Sequence, residues 1–80
     1  MRSLVVEAKS LESAHALYSA LADFHPELLG DELEGFRVRV SFGTNDHQVI
    51  AVLNAVEQHV MERRSPAYVE LDGRKYTFQP

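Results

Sequence analysis

A strict alternation of apolar and polar residues runs through residues 36–42, which have the sequence FRVRVSF. Successive side chains of a β-strand point to opposite faces, so this pattern predicts a strand with one apolar face and one polar face. A strand of that kind belongs to a sheet that helices cover on one side and leave open on the other. The rest of the chain should therefore supply the covering helices and the other strands.

Two segments have the periodicity of amphipathic helices. In residues 11–24 the apolar positions recur at helical spacing, and Ser10 is placed to act as the N-cap. The second helix begins with a capping-box pattern at Asn45 and ends before Pro66. The buried residues predicted for the two helices are Leu11, Ala14, Leu17, Tyr18, Leu21 and Phe24, then Val49, Leu53, Val56 and Val60.

The segment after the first helix has a different composition. His25-Pro26 should end that helix, because a residue that precedes proline disfavours the helical conformation. Residues 27–35 then combine four acidic residues with three leucines. We predict a solvated acidic loop anchored by its leucines, with one extra helical turn that starts at Pro26 as the alternative.

The C-terminal residues 67–79 predict a β-hairpin, because Asp72-Gly73 suits a two-residue type I′ turn. A turn of that length sets the register and places Glu70 opposite Lys75 as a cross-strand ion pair. The same register assigns Ala67, Val69, Leu71, Tyr76 and Phe78 to the apolar face and Tyr68, Glu70, Lys75 and Thr77 to the polar face.

With a first strand over residues 4–8, these segments predict an α/β (α+β) two-layer sandwich of order β-α-β-α-β-β, in one domain over residues 1–80. Its four-stranded mixed sheet carries two helices on one face and leaves the other face open. The crossovers are long enough for parallel pairing. The eleven residues between Phe24 and Phe36 also permit an antiparallel return of the second strand, so the strand order stays open.

Composition excludes several functional classes. The 80 residues include no cysteine, which excludes disulfides, thiol catalysis and cysteine-ligated zinc. The net charge of −4 argues against a strongly basic nucleic-acid binder. Glu7 interrupts the apolar N-terminal segment, and no apolar run approaches the roughly 20 residues of a membrane helix. We therefore expect a cytoplasmic protein without a membrane partner.

The open face of the sheet is the first candidate site. Basic side chains outnumber acidic ones there, with Lys9, Arg37, Arg39 and Lys75 against Glu7 and Glu70. Sheets that bind RNA combine basic residues with exposed aromatic rings, but here Tyr68 is the one predicted stacking ring, so nucleic acid is not the expected partner. The predicted interaction surface comprises Arg37, Arg39, Tyr68, Glu70 and Lys75.

The second candidate site is the junction between the alternating strand and the second helix. It comprises Gly43, Thr44, Asn45, Asp46 and His47. Helix N-termini attract anions, which favours a small anionic ligand at this turn. However, Asp46 already places a carboxylate there, and the segment is neither a GxGxxG motif nor a P-loop, so helix capping is the preferred interpretation.

No catalytic, cofactor or metal motif is evident. Glu12 and His15 have the Glu-x-x-His spacing of di-iron helices, but such sites need a second motif on a facing helix. We expect His15 to pair with Glu12 instead. No nucleophile elbow accompanies the serines, so we expect neither enzymatic activity nor a cofactor nor a bound metal.

These observations lead to three functional hypotheses. The first is a non-enzymatic interaction or regulatory module, which acts as a homodimer or as a subunit of an unidentified protein partner. It would use the open basic sheet face or the edge strand that begins at Lys75. The alternatives are a sensor of small anionic ligands at residues 43–47, and weak RNA binding on the sheet face.

Overall fold

A computed structural model describes residues 2–42 and 46–80 of the chain. It contains an antiparallel sheet and two α-helices, with a short 3₁₀ turn at Ala22–Phe24 after the first helix. None of the described helices is long and apolar enough to span a membrane. The elements are β1 (Arg2–Ala8), α1 (Leu11–Ala20), β2 (Glu27–Asp31), β3 (Gly35–Phe42), α2 (Asp46–Arg63), β4 (Ala67–Leu71) and β5 (Arg74–Phe78).

The α+β class is confirmed, but the sheet has five strands rather than four. Their order is β2-β3-β1-β4-β5, and every neighbouring pair is antiparallel. The predicted mixed sheet is therefore wrong. Each helix connects two strands that are separated by one other strand in the sheet, and that intervening strand is antiparallel to both. Elements β1 to β4 follow the β-α-β-β-α-β order of two split β-α-β units, as in ferredoxin-like folds, and β5 extends this sheet.

The additional strand is β2, in the segment predicted to be an acidic loop. A tight hairpin holds it against β3: the Asp31 carboxylate accepts hydrogen bonds from the backbone N–H groups of Leu33 (2.9 Å) and Glu34 (2.7 Å). Gly30 and Gly35 flank this turn at φ values of 94° and 88°, which L-residues with a side chain rarely adopt. Hairpin geometry thus makes a strand of residues whose composition is typical of a loop.

The first helix is shorter than predicted, ending at Ala20. Ser10 is its N-cap, as predicted, and its hydroxyl oxygen accepts a hydrogen bond from the N–H of Ser13. Beyond Leu21 the chain forms the 3₁₀ turn and leaves it through His25 at a φ of 54°. Of the predicted buried residues, Leu11 and Tyr18 are instead exposed because they lie at the margin of the sheet that the helix covers.

The core lies between the two helices and one face of the sheet. Its buried side chains are mainly aliphatic and come from strands and helices whose inward faces were predicted to be apolar. In α2, Val52 is buried, whereas Leu53, which was predicted to be buried, is half-buried. The buried side of this helix is therefore rotated slightly from the prediction. The largest fully buried residues are Leu4, Val6, Leu21, Val38, Val40, Val52, Val56, Val60 and Val69.

The C-terminal hairpin has the predicted register. Leu71 pairs with Arg74, Glu70 with Lys75, and the remaining pairs follow in the same frame. Tyr76 is nevertheless exposed on the apolar side, because β5 is an edge strand that the helices cover incompletely.

Candidate interaction surface

The open face of the sheet gathers the five residues of the predicted interaction surface. On β3 and β4 these residues alternate with residues that face the core, so their side chains point away from the helices, and Lys75 on β5 is the register partner of Glu70 on the same face. The strand registers align them in rows across β3, β4 and β5, with β1 between β3 and β4. The members are Arg37, Arg39, Tyr68, Glu70 and Lys75.

One continuous row crosses all five strands of this face. Paired positions run from Glu27 on β2 to Arg39 on β3, Val5 on β1, Glu70 on β4 and Lys75 on β5. The charges along this row are therefore negative, positive, neutral, negative and positive. We call these five residues the charged row.

Within the charged row, Arg39 forms an ion pair with Glu27 through its terminal Nη2. Its Nε is shielded from solvent and has no hydrogen-bond partner. Glu70 and Lys75 are register partners, but in the described part of the chain their charged groups form no ion pair within 4.0 Å, contrary to prediction. These side chains thus retain unused hydrogen-bonding capacity.

A second row runs beside the first and contains two further charges of the face. It passes through Leu29, Arg37, Glu7, Tyr68 and Thr77. Tyr68 is 44% exposed and contributes the main aromatic surface. A depression of about 290 Å³ opens on the same face, lined in part by Ser3, Val5, Arg37 and Glu70.

The sequence predicted a basic face, but the charges of the folded sheet do not make it basic. The fifth strand adds Glu27, which neutralises Arg39, and Lys9 follows the last residue of β1 rather than lying within the sheet. Acidic and basic side chains are now equal in number across the two rows. A charge-balanced face fits an anionic polymer poorly and fits a surface of equally mixed charge well.

The second predicted site is incompletely described. Gly43, Thr44 and Asn45 lie outside the described residues, as does the predicted capping box at Asn45. Asp46 begins α2, and His47 is exposed in its first turn. The anionic-ligand hypothesis for this turn therefore stays a prediction.

The histidines do not gather into a ligand set. Across residues 2–42 and 46–80, no three His, Asp or Glu side chains lie close enough to hold a metal ion. His15 is exposed, and its predicted ion pair with Glu12 does not occur among the described contacts.

Glu27 and Leu29 are surface residues that the sequence interpretation missed. The signal available for them was the pair of glycines around Asp31, since glycine and aspartate at such spacing are typical of a hairpin turn. Their assignment to the open face follows from pairing with β3, which only the folded chain shows.

Comparisons of this chain with protein-family models, with curated proteins and with solved structures find no match.

Proposed function

We propose that this protein is a non-enzymatic interaction module that pairs with a second copy of itself through the open sheet face. The observation that supports this proposal is the order of charges in the charged row. Read in reverse, the row has the opposite sign at every charged position and the neutral Val5 at its centre.

A two-fold axis parallel to β1 would bring residues of opposite charge in the charged row together. It places β2 over the partner's β5 and β3 over the partner's β4, while β1 lies over its own copy. Glu27 then faces the partner's Lys75, and Arg39 faces the partner's Glu70. A two-fold interface requires a surface that complements itself, and the charged row meets that requirement.

The second row is compatible with the same axis at most positions. Arg37 faces the partner's Tyr68, where a guanidinium over an aromatic ring is attractive. Glu7 meets its own copy at the axis, which is the single like-charge contact in the two rows. The Arg39 Nε is shielded from solvent, so the pairing with the facing Glu70 carboxylate would use the terminal guanidinium nitrogens instead.

The size of the face predicts a weak dimer. Five strands at about 4.8 Å spacing, each with about five residues at 3.3 Å rise, cover on the order of 400 Å² per subunit. Stable interfaces bury about 800 Å² per partner, so this face belongs to the small, transient class. Association should therefore depend on protein concentration and weaken as salt screens the facing charges.

Sedimentation analysis from micromolar to millimolar protein, at low and high salt, tests the proposal. We expect a dimer at high concentration and low salt that dissociates as salt increases. A monomer under all these conditions contradicts the proposal, as does a dimer whose stability ignores salt. A salt-sensitive complex with RNA, without self-association, would support the RNA hypothesis in its place.

Charge reversal identifies the surface that mediates the dimer. Arg39→Glu places like charges opposite the partner's Glu70 and should abolish association, while Arg39→Glu combined with Glu70→Arg should restore it. Arg74→Glu is the matched control, because Arg74 is an exposed residue of β5 that shares the opposite face with Leu71. Equal loss in the control, or no rescue by the double reversal, would exclude the open face.

A further inference from the structure

A small cleft lies at one end of the molecule, where the chain leaves β1 for α1 and leaves α2 for β4. Its volume is about 140 Å³, the space of roughly five water molecules. Drug-sized or nucleotide-sized ligands occupy cavities of about 300 Å³ or more, so this cleft suits one small chemical group. Apolar residues line part of its wall, namely Ala8, Leu17, Pro66 and Ala67.

The polar side of the cleft is predominantly cationic. Lys9, which follows β1, and Arg63, the last residue of α2, both line it, and Glu7 is the one acidic residue among those that do. In the described part of the chain, neither Lys9 nor Arg63 takes part in an ion pair. Two unpaired cations against one carboxylate leave the cleft with an excess of positive charge.

His59 also lines the cleft and is half-buried. Burial lowers the pKa of its imidazole below the usual value, and Arg63 lowers this pKa further while Glu62 opposes the shift. The described hydrogen bonds include none to the His59 ring. Its ring is therefore available to a ligand and is a sensitive reporter of any charge that enters the cleft.

A hydroxyl group completes the set of donors. Ser10 Oγ accepts from the N–H of Ser13 at 3.1 Å and donates to Ser13 Oγ at 3.3 Å. Ser13 Oγ is thus an acceptor in this pair, which leaves its own hydrogen free to donate into the cleft. Ser65 contributes a second hydroxyl to the lining.

We propose that this cleft binds a small oxyanion, of the size of phosphate or a carboxylate group, between Arg63 and Lys9 with Ser13 as a neutral donor. The guanidinium supplies paired N–H donors that match two oxygens, and the ammonium supplies a compact charge on the other side. This site is separate from residues 43–47 and does not depend on dimerisation.

NMR titration of the histidine ring protons with sodium phosphate, at constant ionic strength set with sodium chloride, tests the site. We expect a saturable shift of the His59 resonance at millimolar phosphate, and a rise of about one unit in its pKa, because a nearby anion favours the charged imidazole. His59→Gln assigns the resonance. A parallel titration with acetate shows whether planar carboxylates bind as well as tetrahedral anions, and saturation by neither anion overturns the proposal.

Matched variants separate a built site from general electrostatic attraction. Arg63→Gln should weaken phosphate binding about tenfold or more, as expected for loss of a charge-assisted contact. Arg64→Gln removes the same charge from the adjacent residue, which does not line the cleft, and should change affinity less than twofold. Equal weakening by Arg63→Gln and Arg64→Gln would overturn the assignment even if the protein dimerises as proposed.

Discussion

The two faces of the sheet are built from alternate residues of the same strands, yet they have opposite chemistry. On the helix-covered face, Leu4, Val6, Val38 and Val40 are fully buried and aliphatic. On the open face, the intervening positions carry charges of both signs in rows across the strands. Burial of apolar area stabilises the fold, whereas exposed ion pairs contribute little to it. The comparison indicates that stability depends on the covered face, which leaves the open face for the association that we propose.

The largest expected difference separates Leu4 from Val5, which are adjacent in β1 and point to opposite faces. Leu4→Ala should lower the free energy of unfolding by about 2–5 kcal/mol, because it leaves a cavity in a fully buried site. Val5→Ala should lower it by less than about 1 kcal/mol. Urea titrations monitored by circular dichroism, at concentrations where the protein is monomeric, measure both. Similar losses in the two variants would show that the open face is packed against something in the monomer.

A smaller effect distinguishes the two hairpins that border the sheet. At Gly30 an added Cβ would lie 2.0 Å from the backbone oxygen of Gly35, and φ is +94°. Gly30→Ala should therefore cost at least the roughly 1–3 kcal/mol of a strained backbone, with β2 released from β3. At Gly73, φ is +80° and no atom lies within 4 Å of the added Cβ. Gly73→Ala should cost about 1 kcal/mol, from conformation alone.

Amide hydrogen exchange localises this difference, since it reports the opening of individual strands. In Gly30→Ala the amides of β2 should exchange faster while those of β1 and β4 stay protected. Release of β2 also removes Glu27 from Arg39, so this variant should expose the basic surface that was expected from the sequence. Unchanged exchange in β2 would mean that the hairpin tolerates a side chain at Gly30.

The covered face and the C-terminal hairpin could be predicted because their signals are local. Strict alternation in β3 separates the two faces within one strand, and Asp72-Gly73 sets the register of the hairpin through turn geometry. Ser10 is a similarly local signal for the start of α1. In each case the information lies within a few residues of the structure that it predicts.

The fifth strand could not be predicted in the same way, and the charge balance of the open face could not be predicted without that strand. Residues 27–31 do not alternate as β3 does, and their extended conformation depends on pairing with β3 along one edge. The exposure of Tyr18 and Tyr76 is equally non-local, since it depends on where coverage by the helices and the sheet ends. The residues of the candidate surface share one face of the sheet, but the net charge of that face depends on the neighbouring strand β2.

The smallest expected effect concerns pH and arises at His59 on α2. Burial and Arg63 lower the pKa of His59 below 6.5 in the folded protein, against the opposing influence of Glu62; Lys9 and Glu7 face the same cleft. The unfolded chain then binds more protons than the folded chain at pH values below 6.5, so the free energy of unfolding decreases as pH falls through this region and levels off below the folded pKa. Thermal melts between about pH 7.5 and pH 5.5, above the range where carboxylates titrate, measure this loss. His59→Gln should flatten the profile. A profile that keeps its slope in His59→Gln would place the responsible proton on another group.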